Sequence, residues 1–346
     1  MLISEGYDIT GVVTQPDRPK GRGGKTGAPI VKEIAARAGI RVFQPEKPSE
    51  ICAELETLSV DLCVTAAYGK ILKKRFLRIP RYGTINVHAS LLPAYRGPSP
   101  IHQALLNGDA RTGVTTMLTE SGVDTGPTLM SAAVDIEDGD YFNELHDKLA
   151  VLGAEILKKT IPEYISGRLK PAPQNDELAT YAPIIEKRDG ELDFNRNAFS
   201  LVNKVKAFAV WPGAIAVLGE KKARVYNASA GDIVTPDGAD AHATAERPQY
   251  DVAEENARRS GGPAGADSQT AVRSGEETAG AGARAAAVSD GQSGRYAAGT
   301  VVRVNRDALS VLCGDGTLFN ITRLQFENGR IMDISECWHN LRNRLI

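Results

Sequence analysis

Over the first half of the chain short β-branched runs alternate with helical stripes, and this alternation narrows the fold more than any other feature. Asp8 to Thr14 reads as a strand on Ile9, Val12 and Val13. Ile30, Val31, Ile34 and Ala38 recur at helical spacing, Arg41 to Phe43 is a second short strand, and Ser49 is placed to cap a helix running to Leu58. Val60 to Ala67 is a largely apolar run, the pattern of a strand covered on both faces. A strand at 83–87, a helix near Ile101–Leu106, strands near Val114–Leu118 and Thr128–Val134, and a helix with Leu145, Leu149, Leu152 and Ile156 on one stripe complete the series. Such alternation predicts an α/β domain with a doubly wound, Rossmann-like sheet, which binds ligands beyond the carboxyl ends of its strands.

One strand end stands out. Gly83-Thr-Ile85 enters Asn86-Val87-His88, and Pro93, Gly97, Pro98 and Pro100 then forbid regular structure for several residues. Strand side chains alternate with period two, so Asn86 and His88 project to the same side. An amide with two N–H donors and an imidazole that titrates near neutrality suit a reacting carbonyl and a mobile proton, the needs of acyl transfer. Asp124, in Gly122-Val-Asp-Thr-Gly126, is a candidate base or a carboxylate partner for His88. Each residue also has a plainer reading: a hydrogen-bonded structural histidine, a turn asparagine, a loop aspartate.

The segment Gln15 to Gly27 holds four glycines and two prolines, with the cations Arg18, Lys20, Arg22 and Lys25 against the single acid Asp17. It reads as an irregular basic loop, either a phosphate clamp that orders on binding or merely a solvated loop. Gly24-Lys25-Thr26 is not a Walker motif, because the glycine spacing and the strand–loop–helix frame are missing.

Residues 168–196 are rich in proline and charge and read as a linker. After a helix near Ala198–Ala207, short strands at 214–218, 222–227, 299–304, 308–313 and 317–324 are separated by glycine turns such as Cys313-Gly-Asp-Gly316. That spacing predicts a small OB-like β-barrel. The organisation expected is therefore a catalytic domain at 1–167, a linker at 168–196 and a barrel domain at 197–346. Between about 235 and 297 alanine, glycine, serine and mixed charge prevail, so this segment buries too little apolar surface to order itself and reads as a disordered insertion.

Composition excludes some classes. No apolar run approaches membrane-spanning length, and the opening Met1-Leu-Ile-Ser-Glu-Gly6 lacks the basic and apolar regions of a secretory signal. Cys52, Cys63, Cys313 and Cys337 are scattered with no CxxC pair, as suits free thiols in a reducing cytoplasm and not a zinc site. A net charge of −2 leaves any RNA contact to local patches. Lys221, Lys222, Arg224, Arg303 and Arg323 offer a basic face on the barrel, or scattered surface charge.

The stretch Ile85 to Gly97 together with Gly122-Val-Asp-Thr-Gly126 resembles the signature of formyltransferases that use 10-formyltetrahydrofolate. Thr14-Gln-Pro-Asp-Arg-Pro19, Ala66-Ala-Tyr-Gly69 and Phe208-Ala-Val-Trp-Pro-Gly213 extend the likeness to those that act on methionyl-tRNA, from about Tyr7 to Asn227 and again from about Ala298 onward. The resemblance implies formyl transfer from 10-formyltetrahydrofolate to the α-amine of initiator methionyl-tRNA, with Asn86, His88 and Asp124 catalytic. It also implies that Ser90, Leu91, Leu92 and Pro93 hold the folate, and that Arg18, Lys20, Arg22 and Lys25 contact tRNA. A barrel that helps hold tRNA, no metal, no membrane and a monomer are expected as well. The rivals are a formyltransferase acting on a nucleotide-linked amino sugar, which shares the Asn/His/Asp set, and a catalytically silent RNA-binding protein. Members of the family begin with a further strand, a Gly-Thr-Pro turn and most of a helix before the segment matching Ser4 to Tyr7. The natural protein is therefore expected to start upstream of Met1, at a strand that would be central to the sheet.

Overall fold

The computed structural model describes residues 1–20, 25–231 and 296–345, which fall into two compact units. The first comprises Met1–Ile101, Arg111–Ile136 and Leu145–Ile184, and the second His102–Ala110, Glu137–Glu144 and Ile185–Ile346. All but the last two residues of the insertion expected at 235–297 lie outside the described residues, as does Arg22.

The first unit is built on a four-stranded sheet in the order β5 (Cys63–Thr65), β6 (Thr84–His88), β7 (Arg111–Leu118), β8 (Thr128–Asp135). Only β5 and β6 run parallel; β6–β7 and β7–β8 are antiparallel, so the sheet is mixed and not the parallel one expected. The cause is local. The β7–β8 connection spans 119–127, too short for the crossover that parallel neighbours need. A separate parallel pair joins β1 (Val12–Val13) to β4 (Val42–Phe43).

Two burial patterns depart from expectation. All three residues of β5 are only partly buried, because this strand pairs with β6 on one side and is an edge of its sheet. Helix α1 (Ile30–Arg37) forms at the expected stripe, yet Ile30, Val31 and Ile34 are exposed and Ala35 is its one buried residue. The helix lies against β1 and β4.

The helix expected around Leu145–Ile156 runs from Phe142 to Ile165. It is the fifth α-helix, α5, after α2 (Cys52–Thr57), α3 (Lys74–Leu77) and α4 (Pro100–Asn107). Its Leu157 and Ile161 join Ile85 and Leu129 in a buried cluster beneath the sheet. Gly153 allows the helix to sit close, since a Cβ there would lie 2.9 Å from Val87 Cγ1. Buried side chains of this size contribute about 1.5–3 kcal/mol each, which holds the floor beneath β6.

The second unit carries an antiparallel sheet in the order β11 (Val301–Val304), β12 (Leu309–Leu312), β13 (Leu318–Phe326), β10 (Lys221–Gly231), β9 (Ala214–Leu218). The short β14 (Met332–Asp333) pairs with β13. Among the described residues β9 and β11 do not pair with each other, so the sheet does not close on itself. Helix α6 (Ala198–Ala207) and the last helix, α7 (Ile334–Leu345), pack Leu201, Val205, Ile334 and Leu341 into a core with Leu218, Phe319 and Leu324.

Candidate active site

Strand β6 ends at His88, and the irregular stretch that the prolines dictate returns across its tip. The period-two argument holds in the geometry: Asn86 and His88 both approach Asp124 of the β7–β8 connection. Asn86 Nδ2 lies 3.5 Å from Asp124 Oδ1, and His88 Nδ1 lies 3.6 Å from Asp124 Oδ2. These separations are long for hydrogen bonds, so the three polar groups converge without saturating one another. Apo catalytic groups commonly show such spacing and tighten only around a substrate.

Each of the three is aimed by its own partner. Thr65 Oγ1, across the parallel β5–β6 pair, donates to Asn86 Oδ1 at 2.9 Å, which fixes the amide so that its N–H groups face Asp124. His88 Nε2 is 2.9 Å from the carbonyl oxygen of Tyr95; that oxygen can only accept, so Nε2 carries the proton and Nδ1 is the nitrogen turned to Asp124. Asp124 Oδ2 accepts from Gly97 N at 2.9 Å. His88 is 6% exposed and Asp124 18%, so the charge of the carboxylate acts in a partly desolvated site.

Backbone conformation supports this aim. Tyr95 and Asp124 both adopt left-handed conformations, at φ +60° and +51°. Gly97, at φ +120°, lies where a Cβ would meet the carbonyl of Ala182, so the turn between them has no room for a side chain.

The Ser90–Pro93 strip lies beside this centre. Ser90 is fully buried and its hydroxyl donates to Ala94 O at 2.6 Å, which commits that side chain to its own loop. Thr115 Oγ1 donates to Ser90 O and accepts from Leu92 N, pinning the strip to β7. Leu91, Leu92 and Pro93 are partly exposed.

The basic segment is more regular than its composition suggests. Arg18–Lys20 (β2) pairs antiparallel with Lys25–Gly27 (β3), and Lys20 and Lys25 occupy opposite register positions. Arg18 is exposed, while Asp17, the one acid, is engaged by Lys32 and Gln44. No set of three His, Cys, Asp or Glu side chains among the described residues could hold a metal ion, and no helix there is long and apolar enough to cross a membrane.

Several residues that build the site carried no signal in the sequence. Thr65 sits inside an apolar run, and Gln174 lies in a proline-rich stretch with nothing to link it to Asp124. Arg96 was visible within the motif but only as one of its letters. Their roles arise from contacts between residues 21, 50 and 78 positions apart.

A formyl transferase family model matches residues 3–161, and a model of the formyl transferase C-terminal domain matches 184–244 and 279–342. A methionyl-tRNA formyltransferase of Acetivibrio thermocellus is 36% identical over 345 residues, covering 99% of this chain and 92% of the relative. One from Ruminiclostridium cellulolyticum is 49% identical over 228 residues, covering 65% of this chain and 73% of the relative. The fold is similar to that of HypX from Aquifex aeolicus, solved in complex with tetrahydrofolic acid, at a TM-score of 0.52 and 14% identity over 89% of this chain and 44% of that one. With one relative matched along nearly its whole length and the convergent Asn86, His88 and Asp124 in place, the chain belongs to the methionyl-tRNA formyltransferase family.

Proposed function

We propose that this protein transfers the formyl group of 10-formyltetrahydrofolate to the α-amino group of methionine esterified to initiator tRNA. The convergence of Asn86, His88 and Asp124 at the carboxyl end of β6, in a chain of this family, carries the reading. The amine attacks the formyl carbon and the carbonyl electrons move onto oxygen. Asn86 Nδ2 donates to that oxyanion; His88, whose Nε2–H is held by the Tyr95 carbonyl, adds a second donor through Nδ1 once that nitrogen is protonated, and Asp124 holds His88 or takes the proton that leaves the amine. Collapse of the intermediate breaks the bond to folate nitrogen, which regains a proton. One donor to an oxyanion is worth about 3–4 kcal/mol.

The further assignments belong to the same reading. Ser90, Leu91, Leu92 and Pro93 hold the folate, the strip's backbone and apolar atoms facing the ligand because the Ser90 hydroxyl is already committed. Arg18, Lys20, Arg22 and Lys25 engage tRNA phosphates. Residues 1–167 form the body of a Rossmann-like catalytic domain, 168–196 lead on from it with 172–182 laid against the motif, and the C-terminal part from 197 is an OB-like domain that holds tRNA. The protein works as a monomer in the cytoplasm and needs no metal.

The test is formyl transfer to methionyl initiator tRNA, with His88→Ala alongside. Transfer that collapses in a folded variant is the expected result. Transfer to a nucleotide-linked amino sugar with none to the tRNA would overturn the reading. Salt gives an independent check, because phosphate contacts release counterions and tRNA binding should weaken steeply with ionic strength.

A further inference from the structure

Asp124 holds a left-handed backbone conformation that a residue with a Cβ adopts at a cost, in a loop whose flanking Gly122 and Gly126 give it no stiffness. Something outside the loop must hold it. Gln174 does so: its Nε2 donates to Asp124 O and to Gly126 O, both at 2.7 Å, so both amide hydrogens are spent across the loop. Its Oε1 accepts from Arg96 Nε at 3.0 Å and Nη2 at 2.9 Å. With carbonyls on one side and a guanidinium on the other, only one orientation of the amide satisfies every partner.

Arg96 is 2% exposed, and its Nη2 also donates to Asp176 Oδ1 at 2.7 Å. Its neighbours in sequence are the two backbone groups that aim the catalytic pair: the Tyr95 carbonyl bonded to His88 and the Gly97 N–H bonded to Asp124. The segment around Gln174 is tied to the same turn by Arg96 N to Thr180 O, Ala182 N to Arg96 O, and Tyr95 N to Thr180 Oγ1. Residues 172–182 therefore act as a strap over the motif.

We propose that Gln174, clamped by Arg96, is a positioning residue that sets the placement of the Asp124 carboxylate against His88, and so governs turnover and not substrate binding. The proposal rests on the functional reading above. The informative variant is Gln174→Glu, which keeps an acceptor for Arg96 but removes the N–H donors and sets a carboxylate oxygen against the Asp124 and Gly126 carbonyls.

In steady-state formyl transfer Gln174→Glu should lower kcat by about 10- to 100-fold, the penalty of a misplacement near 1 Å, with KM for folate and tRNA within about twofold. In an Asp124→Asn background, measured by single turnover, the same change should have no further effect, because the residue acts through Asp124. An equal fall in both backgrounds would overturn the proposal, as would an unchanged kcat. Amide hydrogen exchange supplies a readout that needs no activity: peptides covering 119–127 should exchange faster in Gln174→Glu while Tm and the exchange of the β10–β13 peptides match the unaltered protein. Unchanged exchange in that loop would also overturn it. Should the unaltered protein transfer no formyl group, the functional reading fails while the exchange experiment still decides whether Gln174 holds the loop.

Discussion

His88 and His102 are both taken largely out of water, and their surroundings could hardly differ more. His88 ends a strand, with a carbonyl oxygen on one ring nitrogen and a carboxylate near the other. His102 lies on α4 against aromatic rings, 4.3 Å from Phe142 and 6.0 Å from Phe208 between centroids. Burial pushes its pKa down to about 4, with a hydrogen bond to the Trp211 backbone opposing that shift only in part. The lesson concerns what a buried histidine is for. Where acceptors and a charged group converge, the ring is equipped to manage protons; where aromatic faces surround it, the ring is packing material and stays neutral.

That comparison can be broken in several ways. The largest expected effect is His88→Ala, which should lower kcat by about 10³-fold with Tm nearly unchanged, while His102→Ala should leave the kcat of the folded fraction alone and cost about 2 kcal/mol in denaturant unfolding. Loss of turnover in a well-folded His102→Ala protein would erase the distinction. Next, Asp124→Asn should lower kcat by about 10²-fold, since the amide keeps an acceptor for Gly97 N–H but removes the charge facing His88.

The third effect is on pH-dependent stability. His102 in the unfolded chain binds a proton near pH 6.5, whereas in the native protein it does so only near 4. The unfolded state therefore binds more protons as pH falls through this window, and stability should decline by up to about 3 kcal/mol between pH 6.5 and 4, then level off. Thermal melts of the protein and of His102→Leu across that range should diverge, the variant showing the flatter profile; identical slopes would refute the assignment. The smallest effect is expected for Asp176→Asn. Asp176 is 83% exposed and Arg96 keeps its two bonds to Gln174, so the change should be within about 1 kcal/mol.

Periodicity and punctuation made much of this legible. Helix α6 and strand β9 fall where the apolar spacing puts them, because both are short, regular and flanked by clear breakers. Strand alternation put Asn86 and His88 on one side, whereas Asp124, which both approach, joined them only through the family resemblance. What stayed hidden depends on neighbours distant in sequence. The apolar run at Val60–Ala67 fits a doubly covered strand, yet β5 is only partly buried because coverage is a property of what lies beside it. The stripe of α1 correctly marked a helix but not which side would be buried. In the basic segment Arg18–Lys20 pairs with Lys25–Gly27, a cross-strand pairing that is invisible in composition. Closure of the second sheet needs a pairing between β9 and β11 that the described residues do not make.

Thr65 has a consequence for how this protein should fail on heating. The hydroxyl that orients the Asn86 amide belongs to β5, an edge strand of three partly buried residues, whereas the sheet of the second unit rests on a large apolar core. Edge strands open locally at lower free energy than the molecule unfolds. On the proposed mechanism, fraying of β5 would free Asn86 to turn its oxygen toward the reacting carbonyl, and the oxyanion would lose a donor in a chain that is otherwise folded. Activity would then be lost below the melting temperature that calorimetry of the whole protein records, with three residues at the margin of a sheet setting the ceiling.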